Sequence, residues 1–403
     1  MAQSLDLVQA DQPSRHSRLS LVLAFAAFIL IGANDGALGV LIPSIRAFYQ
    51  VDVATFSLVF LLSVVGYLTA SFNTGLLNAW LGERRFLLMA FAFVIAGVGL
   101  ISLRLLFPIY LGTALLLGFG VGMLDAGLNT YIASLPDNTK LLNYLHAFYG
   151  AGALLGPLVA STLIAWNMGW QATYVTWLGF ALLLWIGFWL AFTPYTQRVK
   201  RLIGEKRERL LRQTLGLRVV WLAALFLLFY VGTEVSLGSW GYSFLTIARM
   251  GPVVFSAWVI SGYWFGLMLG RLTLANLAAR MGVRRLITFC LGGIFCSLLL
   301  AWFLPGIWGA ATGFCLTGFF LGPLFPTAIA LMSQIAPARL LPTAIGFMAS
   351  LGSAGAALFP SLAGTLVQHL GFWFLLPFAL VLTIVMLAVW LVLNRVPAQT
   401  EQA

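Results

Sequence analysis

Twelve apolar runs of helical length divide this chain, and no water-soluble fold buries that many. The first, Leu19 to Ile45, contains a single charged side chain, Asp35. At about 1.5 Å per residue a helix of that length crosses the roughly 30 Å hydrocarbon core of a bilayer. The other eleven runs have approximate limits 54–79, 86–107, 110–134, 142–165, 171–193, 217–248, 253–278, 285–303, 307–334, 342–368 and 371–394. Only 8% of the 403 residues are charged, against about 25% in soluble chains. The runs are continuous, without the ten-residue alternation of a transmembrane barrel. The expected fold class is an all-α membrane protein with twelve transmembrane helices.

The cationic residues set the expected topology. With helices at those limits, 19 of the 22 lysines and arginines fall on one side together with both termini. Arg46, Arg104 and Arg249 fall on the other. The positive-inside rule then places both termini in the cytoplasm. The net charge of +11 is explained by this topology and by lipid head groups, so no nucleic-acid partner is expected. The expected organisation is a cytoplasmic tail over 1–18, a six-helix bundle over 19–193, a basic linker over 194–216, a second bundle over 217–394 and a tail over 395–403. Val199, Leu202, Ile203, Leu210 and Leu211 recur in the linker at helix-like spacing between basic residues. That pattern fits an amphipathic helix on anionic lipid, with a flexible connector as the alternative. Cys290, Cys296 and Cys315 lie in apolar runs and are expected to be small core residues, with no disulfide framework or metal spacing. The polar first 18 residues lack a cleavage site, so the first run is expected to be a retained anchor.

The two bundles are related by a shift of 200 residues. Gly32, Gly66 and Gly152 match Gly232, Gly266 and Gly352, and Gly118, Phe119, Gly122 and Leu124 match Gly318, Phe319, Gly322 and Leu324. A loop segment with Leu77, Ala79, Gly82, Arg84 and Arg85 matches Leu277, Ala279, Gly282, Arg284 and Arg285. Two parallel six-helix repeats joined by a long central loop resemble the major facilitator superfamily. The loop segments resemble its glycine-and-arginine motif, with alanine at 79 and 279 where that motif carries an acid, which implies a looser inner gate.

Three acids lie deep in the runs. Asp35 is 17 residues after Arg18 and 11 before Arg46, and Glu234 is 16 after Arg218 and 15 before Arg249. Asp125 is the third. A charged side chain at such depth costs about 2.5–3.5 kcal/mol on insertion scales, so a polar cavity and proton uptake are the expected reasons for it. Gly118, Gly122, Asp125 and Asn129 follow 4-3-4 spacing and share one helix face. His146, Gly150, Ala153 and Pro157 form another stripe with Tyr149 beside it, and His146 fits either a pocket role or a satisfied core position. Gly152 and Gly156 are expected to serve packing. Trp240, Tyr242, Trp258, Tyr263 and Trp264 fit interfacial anchors, with Trp240 the first choice for stacking on a sugar ring.

Several stretches are similar to the fucose–glucose–galactose proton symporters. They are Asn34-Asp35 followed by Leu-x-x-x-Ile-Pro43, GVGMLDAGLNT from Gly120, NYLHAFYGAG from Asn143 and FYVGTEVSLGSW from Phe229. The resemblance implies that Asn34 and Asp35 meet sugar hydroxyls and that Asp125 is the main protonation site. It further implies that Asn129, His146 and Tyr149 line the pocket opposite Glu234. Asp125 stands where fucose permeases have Glu, and His146 stands at a sugar-contacting Gln position; these departures bear on the substrate.

The expected function is proton-coupled symport of a small polar solute, most simply a monosaccharide, by a monomer in a bacterial inner membrane. Coupling sites would be Asp35, Asp125 and Glu234, with sodium as the alternative ion and no cofactor. No phosphate-binding loop, zinc spacing or nucleophile elbow suggests an enzyme. Rival readings are a drug or metabolite exporter, a lipid flippase and a non-transporting sensor or scaffold.

Overall fold

A computed structural model of the chain describes residues 18–135, 138–192, 204–337 and 339–397. The N-terminal tail to 17, linker positions 194–203 (with Val199, Leu202 and Ile203) and the last residues from 398 lie outside the described residues. The first bundle is α1 (Arg18–Tyr49), α2 (Val53–Leu81), α3 (Glu83–Ser102), α4 (Phe107–Ala133), α5 (Asn138–Ala165) and α6 (Gln171–Ala191). The linker helix α7 (Gly204–Leu215) follows. The second bundle is α8 (Arg218–Ser243), α9 (Val253–Met281), α10 (Val283–Phe303), α11 (Gly306–Leu321), α12 (Leu324–Ile335), α13 (Leu341–Leu370) and α14 (Leu375–Leu393). Twelve segments are long and apolar enough to cross a membrane.

These boundaries match the apolar runs to within a few residues, with two informative exceptions. The third helix stops at Ser102, and α4 begins at Phe107 with Pro108 in its first turn, where proline's missing N–H costs nothing. The tenth run is broken between α11 and α12 at Gly322-Pro323. A helical N–H at position 326 would bond the Gly322 carbonyl, but Pro326 has none. That carbonyl instead accepts from Arg271 Nε at 3.2 Å. Arg271 is therefore not one of the basic residues of a loop, as its count among the topology-setting charges assumed. It lies inside α9, within the membrane segment Val253–Leu274.

The 200-residue repeat is visible as shared contacts. A Cβ at Gly66 would collide with Leu115 and Phe119, and one at Gly266 would meet Cys315 and Phe319. Gly118 abuts the Ser63 carbonyl as Gly318 abuts that of Tyr263, and Gly122 abuts Tyr67 as Gly322 abuts Leu267. These glycines bring α4 onto α2 and α11 onto α9 at backbone contact. The loop arginines also act in parallel. Arg84 donates to the Trp189 carbonyl at 2.6 Å and lies over its ring, while Arg284 donates to Asn394 and Val396. Each guanidinium satisfies terminal carbonyls of the last helix in its own half.

The halves meet through α1 with α8, α2 with α13 and α5 with α9. Exposed tryptophans mark both ends of the bundle: Trp80, Trp189 and Trp221 at the end where α1 starts, Trp166, Trp258, Trp308 and Trp373 at the other. Such belts sit at membrane–water boundaries, which fits the anchoring role expected of Trp258, whereas Tyr242, Tyr263 and Trp264 are buried in the bundle and are not anchors. We call the end carrying Arg84, Arg85, Arg284 and Arg285 the basic face. The α7 helix packs there on α8 and α13, where Thr214 is fully enclosed and Arg339 donates to Gln213 at 3.0 Å. Of the cysteines, Cys290 is buried, but Cys296 is exposed and is not a core residue.

Candidate functional site

Glycines on α1 and α5 create the first part of the site. Gly32 and Gly36 meet the backbone of Tyr149 and Ala153, and Gly152 and Gly156 meet that of Ile29 and Ala33. The four interlock the two helices, so Gly152 and Gly156 do serve packing. At this distance the Tyr149 hydroxyl reaches Asp35 Oδ2 at 3.0 Å, and Asn34 Nδ2 lies 3.3 Å from Oδ1. Asp35 is exposed although Ile31, Ala33 and Ala37 around it are almost fully enclosed. A solvent-accessible acid halfway along a packed membrane helix marks a polar cavity between the halves.

Asp125 is held differently. Asn129, one turn on, donates to its Oδ1 at 2.9 Å and to its backbone carbonyl at 2.9 Å. The Tyr67 hydroxyl of α2 donates to Oδ2. Tyr67 was not among the residues singled out from the sequence. A hydroxyl can donate to a carboxylate and accept from a carboxylic acid, so this contact survives in either protonation state. Asp125 is close enough to Asp35 to interact with it electrostatically.

The second half supplies an ion pair. Glu234 Oε1 and Arg271 Nη2 are 3.7 Å apart, with the side chains 11% and 26% exposed. Tyr263 donates to the Glu234 carbonyl at 2.9 Å. The buried Tyr230 hydroxyl lies against both members of the pair but closes no hydrogen bond of normal geometry. Tyr149 is within electrostatic reach of Glu234 and Arg271, and His146 of Asp125 and Arg271. The site thus gathers Asn34, Asp35, Asp125, Asn129, His146, Tyr149 and Glu234, and adds Tyr67, Arg271 and Tyr230. His146 is exposed and edge-on to Phe28, with ring centroids 5.6 Å apart.

Trp240 is placed elsewhere. It is fully enclosed, its indole donates to the Pro360 carbonyl at 2.8 Å and its ring meets Phe60 and Phe372. In this conformation it presents no face to a solute and fills the closed end of the bundle. There Ser361 donates to the Ser57 carbonyl at 3.0 Å, Val53 N–H donates to Gln368 at 2.9 Å, and a Cβ at Gly364 would strike Ser57 and Trp240. These contacts join α2 to α8 and α13 at the end away from the basic face. Gly364→Leu is expected to wedge this end apart. Thiol labelling of a cysteine replacing Ser239, a buried residue of α8 that abuts Gly39, should then accelerate several-fold over the same cysteine alone.

The Major Facilitator Superfamily family model matches residues 24–257 and 250–403. Bypass of stop codon protein 6 of Saccharomyces cerevisiae is 26% identical over 397 residues, covering 88% of this chain and 78% of that protein. The glucose/mannose transporter GlcP of Bacillus subtilis is 21% identical over 335 residues, covering 79% of this chain and 80% of that one. Among solved structures, the nucleoside transporter NupG superposes with TM-score 0.77 at 13% identity, over 92% of this chain and 99% of NupG. The transporter FucP, solved in its outward conformation, superposes with TM-score 0.65 at 17% identity, over 96% of this chain and 100% of FucP. The similarity to sugar symporters expected from the motifs is thus matched at the level of fold.

Proposed function

The chain belongs to the Major Facilitator Superfamily, and on that premise we propose that it is a proton-coupled symporter of a neutral polyhydroxylated solute, most simply a hexose or deoxyhexose. One observation carries the reading: two acids of the same half stand within electrostatic reach of each other, one open to the cavity and one clamped by Tyr67 and Asn129. Asp35, with Asn34 and Tyr149, offers hydroxyl contacts, and Asp125 takes the proton through an atom whose partner tolerates both states. Glu234 completes the pocket from the other half. Neutralising a carboxylate lowers the cost of carrying an occluded site through apolar surroundings. No enzymatic step, cofactor or metal is assigned, and sodium is the alternative coupling ion.

We place the basic face in the cytoplasm, so this conformation opens inward and is sealed outside by α2, α8 and α13. The halves then rock about the central site. We place the protein as a monomer in a bacterial inner membrane, with the basic linker against anionic lipid. The likeness to GlcP and FucP supports a sugar. The likeness to NupG supports a second reading, a nucleoside, whose ribose offers similar vicinal hydroxyls.

The test is proteoliposomes enclosing a pH dye, given glucose, mannose, fucose or uridine from outside without a membrane potential. Interior acidification on addition of one of them, absent in Asp35→Asn, is the expected result. Sodium-dependent uptake of labelled solute without acidification moves the assignment to that ion. Silence toward the whole panel, with accumulation of amphipathic compounds inside inverted vesicles, overturns the reading in favour of an exporter.

A further inference from the structure

The Glu234–Arg271 pair raises a question that proton coupling leaves unanswered: why a cavity already holding Asp35 and Asp125 carries a third acid and a guanidinium together. Packing does not require them, since a buried ion pair is commonly no more stable than apolar side chains of the same volume. The pair is also not closed. Its 3.7 Å separation exceeds the roughly 2.7–2.9 Å of a direct charge-assisted hydrogen bond. The Tyr230 hydroxyl beside it is fully enclosed and lies against both Glu234 and Arg271 without closing a hydrogen bond of normal geometry to either. Arg271 is oriented from behind, because its Nε is committed to the Gly322 carbonyl freed by Pro326. Its terminal nitrogens therefore point to where Glu234 and the cavity lie.

We infer that Glu234 and Arg271 form a charge filter that admits neutral polyhydroxy solutes and rejects carboxylate-bearing ones. This inference deepens, and rests on, the polyol reading above. A neutral solute can wedge into the pair, donating a hydroxyl to Glu234 and accepting from Arg271, with both charges still compensated. An anionic solute needs the guanidinium for itself. To take it, the anion displaces Glu234 and leaves that carboxylate unpaired, and it also meets Asp35 and Asp125 across the cavity. Specificity of this kind comes from the repulsive element rather than from the attractive one. Glu234 occupies Arg271 and so denies it to anions.

The experiment compares binding of glucose and glucuronate, the same ring with a carboxylate at C6, to purified full-length protein by calorimetry. Wild type should prefer glucose by about 100-fold or more, the scale of unfavourable charge juxtaposition in a desolvated site. E234Q should gain at least about tenfold in glucuronate affinity and lose in glucose affinity, because Arg271 is now unpaired. The double variant E234Q/R271Q should lose that gain, which a merely structural role for Glu234 would not produce. E234A serves as the second variant if E234Q does not yield folded protein. A folded E234Q with unchanged glucuronate affinity overturns the filter. Failure of wild type to bind glucose or uridine overturns the polyol reading instead. The glucuronate gain is measured against wild-type glucuronate binding, so the two failures are distinguishable.

Discussion

Asp125→Asn is expected to abolish accumulation of the solute while leaving solute exchange across the membrane intact. The substitution removes one negative charge and almost no volume. Asn129 can still donate to the amide oxygen at 125, and the Tyr67 hydroxyl, which donates to Oδ2 in the native protein, can turn to accept from the new amide. The variant therefore resembles a permanently protonated site: the empty and loaded carriers are both neutral at this position, and the cycle no longer moves a proton. One proton per solute contributes about 2.3 kcal/mol for each 100 mV of membrane potential, which at about 1.4 kcal/mol per decade corresponds to roughly forty-fold accumulation. In energised vesicles that ratio should fall to about one, with counterflow of labelled solute within about twofold of wild type. Concentrative uptake that survives in D125N removes Asp125 from the coupling step, as does loss of counterflow together with uptake, which would make it a binding or folding residue only. Tyr67→Phe is the accompanying control: it takes away the one partner that accommodates both protonation states and should slow uptake without uncoupling it.

The membrane segments were legible because a bilayer leaves one solution for an uncharged run of twenty or more residues. The repeat was legible because its glycines are contact points, and backbone approach tolerates no side chain there. The acids stood out for the reverse reason, since charge is expensive where they lie. Tyr67 did not stand out among 11 tyrosines, because an aromatic in a membrane helix has many uses. A signal did exist: it follows Gly66 on the helix that Gly118 and Gly122 bring against the Asp125 face. Arg271 was read as loop charge, although it lies well inside the run ending near 278. Its reason was written 51 residues away, at the Gly322 carbonyl that Pro326 leaves free, and a proline's effect on a neighbouring helix cannot be read from periodicity. The first-half counterparts agree, because Ser71 stands at the repeat position of Arg271 and Ala126 at that of Pro326. With no proline at 126 there is no carbonyl to rescue and no arginine to do it. Trp240 shows the limit of residue chemistry alone. An indole suits a sugar face and a helix seam equally, and only packing against Phe60, Pro360 and Phe372 separates them.

Arg271→Gln is expected to be the most destabilising single polar substitution in the second half, and a second substitution should partly repair it. Two groups lose their partner at once. The Glu234 carboxylate is left in the bundle interior without a counter-charge, at a cost of about 3 kcal/mol for breaking such a pair from one side. The Gly322 carbonyl, which Pro326 cannot serve, is left without its 3.2 Å donor, adding about 1 kcal/mol. The glutamine side chain is shorter and carries no charge to offset either loss. Adding Glu234→Gln removes the stranded carboxylate, so E234Q/R271Q should recover most of the first contribution and little of the second. The two substitutions are thus non-additive, the second restoring stability in the presence of the first, where independent sites would simply add. The measurement is thermal unfolding of the three variants in the same detergent, read from the order of midpoints: wild type above the double variant, and the double variant above R271Q. If R271Q melts with wild type, the guanidinium compensates nothing in the folded protein. If the double variant melts no higher than R271Q, the loss comes from Gly322 and the helix break, and the pairing with Glu234 contributes little to stability.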